Sequence, residues 1–187
     1  MRKIIFAVLF ILLSAFAVIT ASEIKKDKKN APALQTIENA SLTIAAPPLE
    51  RRENLEEKTK ESLKEKIKTV YYYSSSYKKA EYLVCYCEYK NEARLRTVLE
   101  RLAEKLKENG FAYESKEDKT QDSQTIYING TFYKDGAEFA IKMRLEKKLK
   151  KHFWQILAVY PHTGKNNKAA EEFMDSVSFG GFAKSSL

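Results

Sequence analysis

The feature that most constrains the fold is a period-two alternation of apolar and polar residues through 124–145. Before the turn at Asp135-Gly136, Ile126 and Phe132 lie on one face of the pattern, and polar or tyrosine residues lie on the other. After the turn the alternation resumes. Such alternation is typical of strands with one buried face, and an Asp-Gly pair between two of them is typical of a hairpin. The sequence therefore predicts two antiparallel strands here.

The same periodicities predict the other elements of the folded part. Residues 153–160 are apolar at nearly every position, which favours a strand covered on both faces. Residues 93–107 repeat apolar side chains at helical spacing. In chain order, the further predicted strands are residues 70–75, 81–89 and 111–115, a polar loop follows at 116–123, and a closing helix is predicted at 168–176.

Strands that follow one another through short links pair antiparallel, and amphipathic helices must bury their apolar faces against a sheet. The sequence therefore predicts an α+β domain over residues 69–180, in which an antiparallel β-sheet is covered by amphipathic helices. Residues 181–187 are predicted to be a loose tail.

The first 68 residues divide into two segments. Met1-Arg2-Lys3 precedes an uncharged run at 4–20, and small residues follow, which is the plan of a signal peptide over residues 1–22. Export to the periplasm or the medium is expected, with an uncleaved membrane anchor at 4–20 as the alternative. Residues 23–68 are rich in charge and contain no aromatic residue, which predicts a mostly disordered or weakly helical tether.

Several glycines and aromatics in the second half carry a resemblance to a known family. They are two glycines near turns, an aromatic-rich late strand and a Phe-x-x-Ser-apolar-x-Phe ending, at Gly130, Gly136, Phe153, Trp154, Tyr160, Phe173, Ser176, Val177 and Phe179. Residues 70–179 resemble the PsbP-like fold of the photosystem II extrinsic protein PsbP and its small exported bacterial relatives. The resemblance implies an exported, non-catalytic protein, and it brings no metal or partner residues with it.

Cys85 and Cys87 are the first candidate for chemistry. Two thiols could form a redox pair or bind a soft metal. Residues two apart on a strand share a face, however, with β carbons too far apart for an ordinary disulfide, and no further cysteine completes a zinc site. The alternative is that both pack as small apolar groups in the core.

The two histidines, His152 and His162, flank the predicted strand 153–160 and would lie roughly 26 Å apart along it. They are predicted to be solvated loop residues that cannot share a metal ion.

The densest basic cluster of the folded part follows the predicted hairpin, at Arg144, Lys147, Lys148, Lys150 and Lys151. It could contact phosphates or an acidic polymer, in keeping with the net charge of +8. The alternative is a solvated turn whose lysines protect a sheet edge.

The sequence contains no phosphate-binding glycine loop, nucleophile elbow or paired-histidine zinc motif. It predicts a non-catalytic binding or structural protein of the cell envelope without a cofactor, whose partner is an envelope protein or an anionic polymer. Export disfavours nucleic acid as a partner. The alternatives are a thiol-redox protein using Cys85 and Cys87, and an anion binder using the 147–151 link.

Overall fold

A computed structural model describes residues 31–63, 65–90, 104, 106–108, 111–120 and 123–180. Its helices are α1 at Glu53–Leu63 and α2 at Gly164–Asp175, with a 3-10 turn at Glu38–Ala40 and further helical residues at 104 and 106–108. The strands are β1 Ala33–Ile37, β2 Leu42–Ala46, β3 Glu50–Arg51, β4 Ile67–Tyr77, β5 Ala80–Tyr89, β6 Ala112–Lys119, β7 Ser123–Lys134, β8 Ala137–Lys148, β9 His152–Pro161 and β10 Ser178–Phe179.

Two antiparallel sheets are formed. Seven strands make the large sheet, in the order β3-β4-β5-β9-β8-β7-β6, and three make the small sheet, in the order β1-β2-β10. Strands β4 and β5 form one hairpin, and β6 to β9 form a meander, so that the two units join where β5 pairs with β9. Both joining strands are buried nearly throughout, which explains the continuous apolar run at 153–160.

Successive residues of the large sheet alternate between two separate cores. On β9, Phe153 and Leu157 face one core, toward which Leu55 of α1 also packs. Trp154 and Ile156 face the other core, which contains residues of the small sheet and of α2. We call these surfaces of the large sheet the α1 face and the small-sheet face.

Trp154 fastens the small sheet to the large one. Its buried indole Nε1 donates to the carbonyl oxygen of Ala40 at 2.7 Å, and its ring meets that of Phe179 edge to face, with centroids 5.0 Å apart. Ser176 connects the small sheet to the end of α2, because its Oγ accepts from the amide of Ala45 at 2.8 Å and donates to the carbonyl of Phe173 at 2.8 Å. Trp154 and Phe179 therefore hold the two sheets together, and Ser176 joins α2 to the small sheet.

The predicted α+β arrangement, a sheet covered by helices, is wrong. The described residues are 60% strand and 22% helix, and they form mainly two antiparallel sheets. The physical reason is that a strand pair, β1 and β2, covers part of the small-sheet face where a helix was expected.

Those covering strands come from the segment predicted to be a mostly disordered or weakly helical tether. That prediction is wrong for residues 33–51, whereas the helix that it allowed is present as α1. Ile37, Leu42 and Ile44 are buried, and α1 follows them. Residues 39–49 carry no charge, and Leu42 to Ala46 alternates inward and half-exposed positions. Averaging this stretch with its lysine- and glutamate-rich flanks hid a strand pattern that burial against Trp154 makes favourable.

The predicted strands within residues 70–89 and 124–160 are confirmed. The loop predicted at 116–123 is wrong, because β6 continues to Lys119; this edge strand is exposed along most of its length, so its charged residues are compatible with pairing to β7. Helix α2 begins at Gly164, earlier than predicted, because Thr163 caps its amino end.

Three predicted segments lie outside the described residues: the signal peptide at 1–22, most of the helix at 93–107, and the tail at 181–187. Among the residues that are described, neither helix has the length and apolar character needed to cross a membrane.

Candidate anion-binding end of the sheet

One end of the large sheet gathers lysines that are far apart in sequence. Here β4 begins, β5 ends, and β8 turns into β9. Glu88, His152 and Lys148 stand side by side on three neighbouring strands. Backbone hydrogen bonds draw in the connecting residues: the Tyr89 amide donates to the Lys151 carbonyl at 2.9 Å, and the Lys90 amide donates to the Lys66 carbonyl at 2.8 Å. We call this region the basic end.

The four strands and their connections supply more cations than anions at the basic end. The cationic side chains are Lys66, Lys68, Lys90, Arg144, Lys147, Lys148, Lys150 and Lys151, whereas the carboxylates are Glu65, Glu88 and Glu146. The sequence prediction included the lysines of the β8–β9 connection but missed Lys66, Lys68 and Lys90. The available signal was that antiparallel strands place the start of β4 and the end of β5 beside this connection.

Two of the three carboxylates are already engaged. Glu88 pairs with Lys68 at 3.0 Å. Glu146 is almost fully buried, and it binds Arg144 at 3.0 Å and Lys148 at 3.8 Å. Its carboxylate also accepts a hydrogen bond from the Thr125 hydroxyl at 2.7 Å. The acids thus hold particular cations in place and leave the region with an excess of positive charge.

The predicted cation cluster divides between the two faces of the sheet and the turn. The alternation along β8 places Arg144 and Lys148 on the small-sheet face and Lys147 on the α1 face, beside Phe153. Lys150 and Lys151 lie in the turn and are exposed. The five predicted cations thus lie at one end of the sheet and are divided between its two faces and the turn.

Arg144 is held as part of the fold. Its guanidinium carbon lies 5.5 Å from the ring centroid of Tyr127 and 5.2 Å from that of Phe179, in cation–π range of both rings. Lys148 Nζ lies 4.2 Å from the Phe179 centroid. These contacts, added to the Glu146 pairs, fix both cations against the sheet. The turn lysines, Lys150 and Lys151, by contrast remain exposed to solvent.

His152 is not the solvated loop residue that the sequence predicted. It begins β9, is half-buried, and stacks near Tyr86 and Trp154. Its Nδ1 lies 2.8 Å from the Tyr86 hydroxyl. Burial lowers the pKa of His152; nearby Glu88 raises this pKa, and Lys68 and Lys151 lower it. Burial also raises the pKa of Tyr86, so burial disfavours the charged form of both partners in this hydrogen bond.

The other histidine lies beyond the opposite end of β9. His162 Nδ1 is 2.9 Å from Glu138 Oε2. The two imidazoles therefore belong to different ends of the sheet, as predicted, and the structure does not bring them together.

The two thiols are buried on the α1 face and are free. Cys85 Sγ lies 3.8 Å from Cys87 Sγ, so they share a face, as the strand pattern predicts. Burial raises the pKa of the Cys85 thiol, and the neighbouring Cys87 thiol raises it further. A thiolate, which is the reactive form, is disfavoured there. The geometry supports core packing and does not favour the thiol-redox alternative.

A buried carboxylate near the thiols is fully used by the fold. Glu56 of α1 forms a two-pronged pair with Arg51, at 2.9 and 2.7 Å, and accepts from the Tyr72 amide at 3.2 Å. The Tyr72 hydroxyl in turn lies 3.1 Å from the Thr59 hydroxyl. These bonds dock α1 on the edge of the sheet.

Within the described part of the chain, no three histidine, cysteine, aspartate or glutamate side chains are grouped so that they could hold a metal ion. Searches with protein-family models and among curated proteins find no match to this chain. The resemblance to the PsbP-like family therefore stays a prediction.

Proposed function

We propose that this chain is an exported, non-catalytic binding protein whose basic end contacts a polyanion. The observation that carries the proposal is the convergence of lysines from β4, β5 and the β8–β9 connection at one end of the large sheet. The basic start and apolar run of residues 1–20 support export to the cell envelope, where acidic polymers and lipid headgroups are available partners.

The arrangement suits a polyanion better than a single small anion. The turn lysines are exposed, and cations lie on both faces of the sheet beside them. Positive charge that is spread over a surface in this way attracts extended polyanions at long range, and salt weakens this attraction. A single anion would need several donors converging on one point, and Arg144 and Lys148 are already held by Glu146 and by the Phe179 ring.

Retention on immobilised heparin tests the proposal, with the full chain at neutral pH. The double variant Lys150→Gln/Lys151→Gln is expected to bind about tenfold more weakly at about 0.1 M salt, and to elute at lower salt. A matched control removes the same charge at the other end of the sheet: Lys78→Gln/Lys79→Gln alters another exposed hairpin turn, roughly 30 Å away along the strands.

The control variant is expected to keep nearly all of the heparin affinity. Equal losses in the two double variants would mean that only overall charge matters, and the basic end would then not be the binding site. No retention of the unmodified chain would remove the proposal altogether.

A further inference from the structure

The turn between β8 and β9 contains a leucine in a backbone conformation that suits it poorly. Leu149 has a φ of 48° and Lys150 a φ of 63°. Left-handed conformations of this kind are favourable for glycine, and asparagine tolerates them, but a branched apolar residue is rare there. Local turn chemistry therefore does not explain why a leucine occupies this position.

Core packing does not explain Leu149 either. Its side chain is 45% exposed, and it is one of three large exposed apolar residues in the described part of the chain. In sequence it is flanked on both sides by lysines, in the order Lys147, Lys148, Leu149, Lys150, Lys151. The tip of the basic end is thus an apolar side chain surrounded by positive charge.

An apolar group with basic neighbours is the pattern of a protein segment that rests on an anionic bilayer. Lysine ammonium groups are attracted to acidic headgroups, and the apolar side chain enters the boundary between headgroups and acyl chains. Long lysine side chains keep their charge in the headgroup layer while the backbone approaches it. Both halves of this pattern are present within five consecutive residues.

We infer that the polyanion is the surface of an anionic lipid bilayer, and that the β8–β9 turn docks on it with Leu149 inserted. This inference rests on the proposed function and specifies its partner. A hydrated acidic polymer would gain from the lysines alone, since it offers no apolar layer to Leu149. A bilayer offers favourable contacts to the lysines and to the leucine, and so accounts for both features of the turn.

Sedimentation with vesicles tests the inference. The full chain is mixed with vesicles of phosphatidylglycerol and phosphatidylcholine, and in parallel with vesicles of phosphatidylcholine alone, which measure any background from the apolar run at 4–20. Leu149→Asn is expected to weaken binding to the anionic vesicles about tenfold, with unchanged retention on heparin. Asparagine tolerates a positive φ, so this variant preserves the turn.

Tyr133→Asn is the matched control. Tyr133 is 78% exposed and lies beside the turn at the opposite end of the large sheet. Its loss is expected to leave binding to both vesicles unchanged. A second readout uses Leu149→Trp: its indole fluorescence should shift to shorter wavelength with anionic vesicles, while Trp154 stays buried.

The outcomes separate the two proposals. In one outcome, heparin binding depends on Lys150 and Lys151, but Leu149→Asn binds anionic vesicles as well as the unmodified chain does, and the fluorescence of Leu149→Trp does not shift. The bilayer inference is then wrong, and the polyanion proposal stands. If neither heparin nor anionic vesicles respond to the turn lysines, both are wrong.

Discussion

The two ends of the large sheet use similar hairpin turns but different residues. At the end opposite the basic end, β7 turns into β8 through Asp135 and Gly136, which have φ angles of 51° and 76°, and these residue types are the usual ones for such a turn. At the basic end the corresponding positions hold Leu149 and Lys150, with similar angles. The Asp-Gly turn satisfies local preferences, and the Leu-Lys turn does not. The β4–β5 turn, opposite the basic end, also holds two non-glycine residues with positive φ, Lys78 at 49° and Lys79 at 67°. What is particular to the basic end is that an apolar side chain occupies such a position.

Charge differs between the ends in the same way. The turns and strand ends opposite the basic end carry similar numbers of lysines and acids, namely Lys78, Lys79 and Lys134 beside Glu81, Asp135 and Glu138. The basic end has a large excess of lysine. Where a natural sequence departs from local rules without a gain in folding, a functional contact is the expected reason. The excess of lysine and the exposed Leu149 therefore support the proposed contact at the basic end.

The largest difference in stability between the two ends is expected when the carboxylate of one ion pair at each end is replaced. Glu146→Gln leaves the half-buried Arg144 without its buried carboxylate, and should lower the free energy of unfolding by about 3 kcal/mol. Glu138→Gln removes an exposed pair with His162 and should change it by less than about 1 kcal/mol. Urea denaturation of both variants measures this. Equal effects would show that Glu146 does not hold the basic end together.

A smaller effect is expected from exchanging turn residues. Lys150→Gly relieves a positive φ and should raise the free energy of unfolding by about 0.5 kcal/mol. Gly136→Lys should lower it by about 0.5–1 kcal/mol; an added β carbon there meets no atom within 4 Å, so the backbone conformation is the cause. Thermal unfolding of the two variants and of the unmodified chain, measured at one pH, tests both changes in stability. Destabilisation by Lys150→Gly would mean that the turn holds no strain.

The smallest effect is expected from His152. Its pKa is lowered in the folded state, mainly by burial, so the unfolded state binds the proton first as pH falls. The free energy of unfolding should therefore decrease as pH drops through about 6.5, and level off below the folded pKa. The measurement compares unfolding at several pH values for His162→Gln and for the same chain with His152→Phe added, which keeps an aromatic ring. Identical pH profiles of the two variants would contradict a lowered pKa of His152 in the folded state.

The sequence alone predicted most of the large sheet, because its strands carry strong local signals. Alternation defined β7 and β8, and the apolar run defined β9. The small sheet was missed, since Leu42 and Ile44 become core residues only when Trp154 lies beneath them. The alternating pattern at Leu42 to Ala46 is short and lies between charged flanks, and the contact with Trp154 is what stabilises it as a strand.

The candidate site was predicted in part for a similar reason. The lysines of the β8–β9 connection are adjacent in sequence and were found directly. Lys66 and Lys68 join them through the pairing of β4 with β5 and of β5 with β9, which no local motif indicates. The strained conformation of Leu149 likewise depends on the length of the turn and the register of its strands.

The pairing of β2 with β10 has a consequence for the order in which the chain can fold during synthesis. Leu42 and Thr43 pair with Phe179 and Ser178, and the Gly180 amide donates to the Ser41 carbonyl at 2.9 Å. Strand β2 is therefore synthesised early, but it cannot complete its pairing until residues more than a hundred positions later have been made. Until those residues leave the ribosome, the small sheet is incomplete and Trp154 lacks the Phe179 ring above it. The small sheet is therefore the part of the fold that is completed last during synthesis.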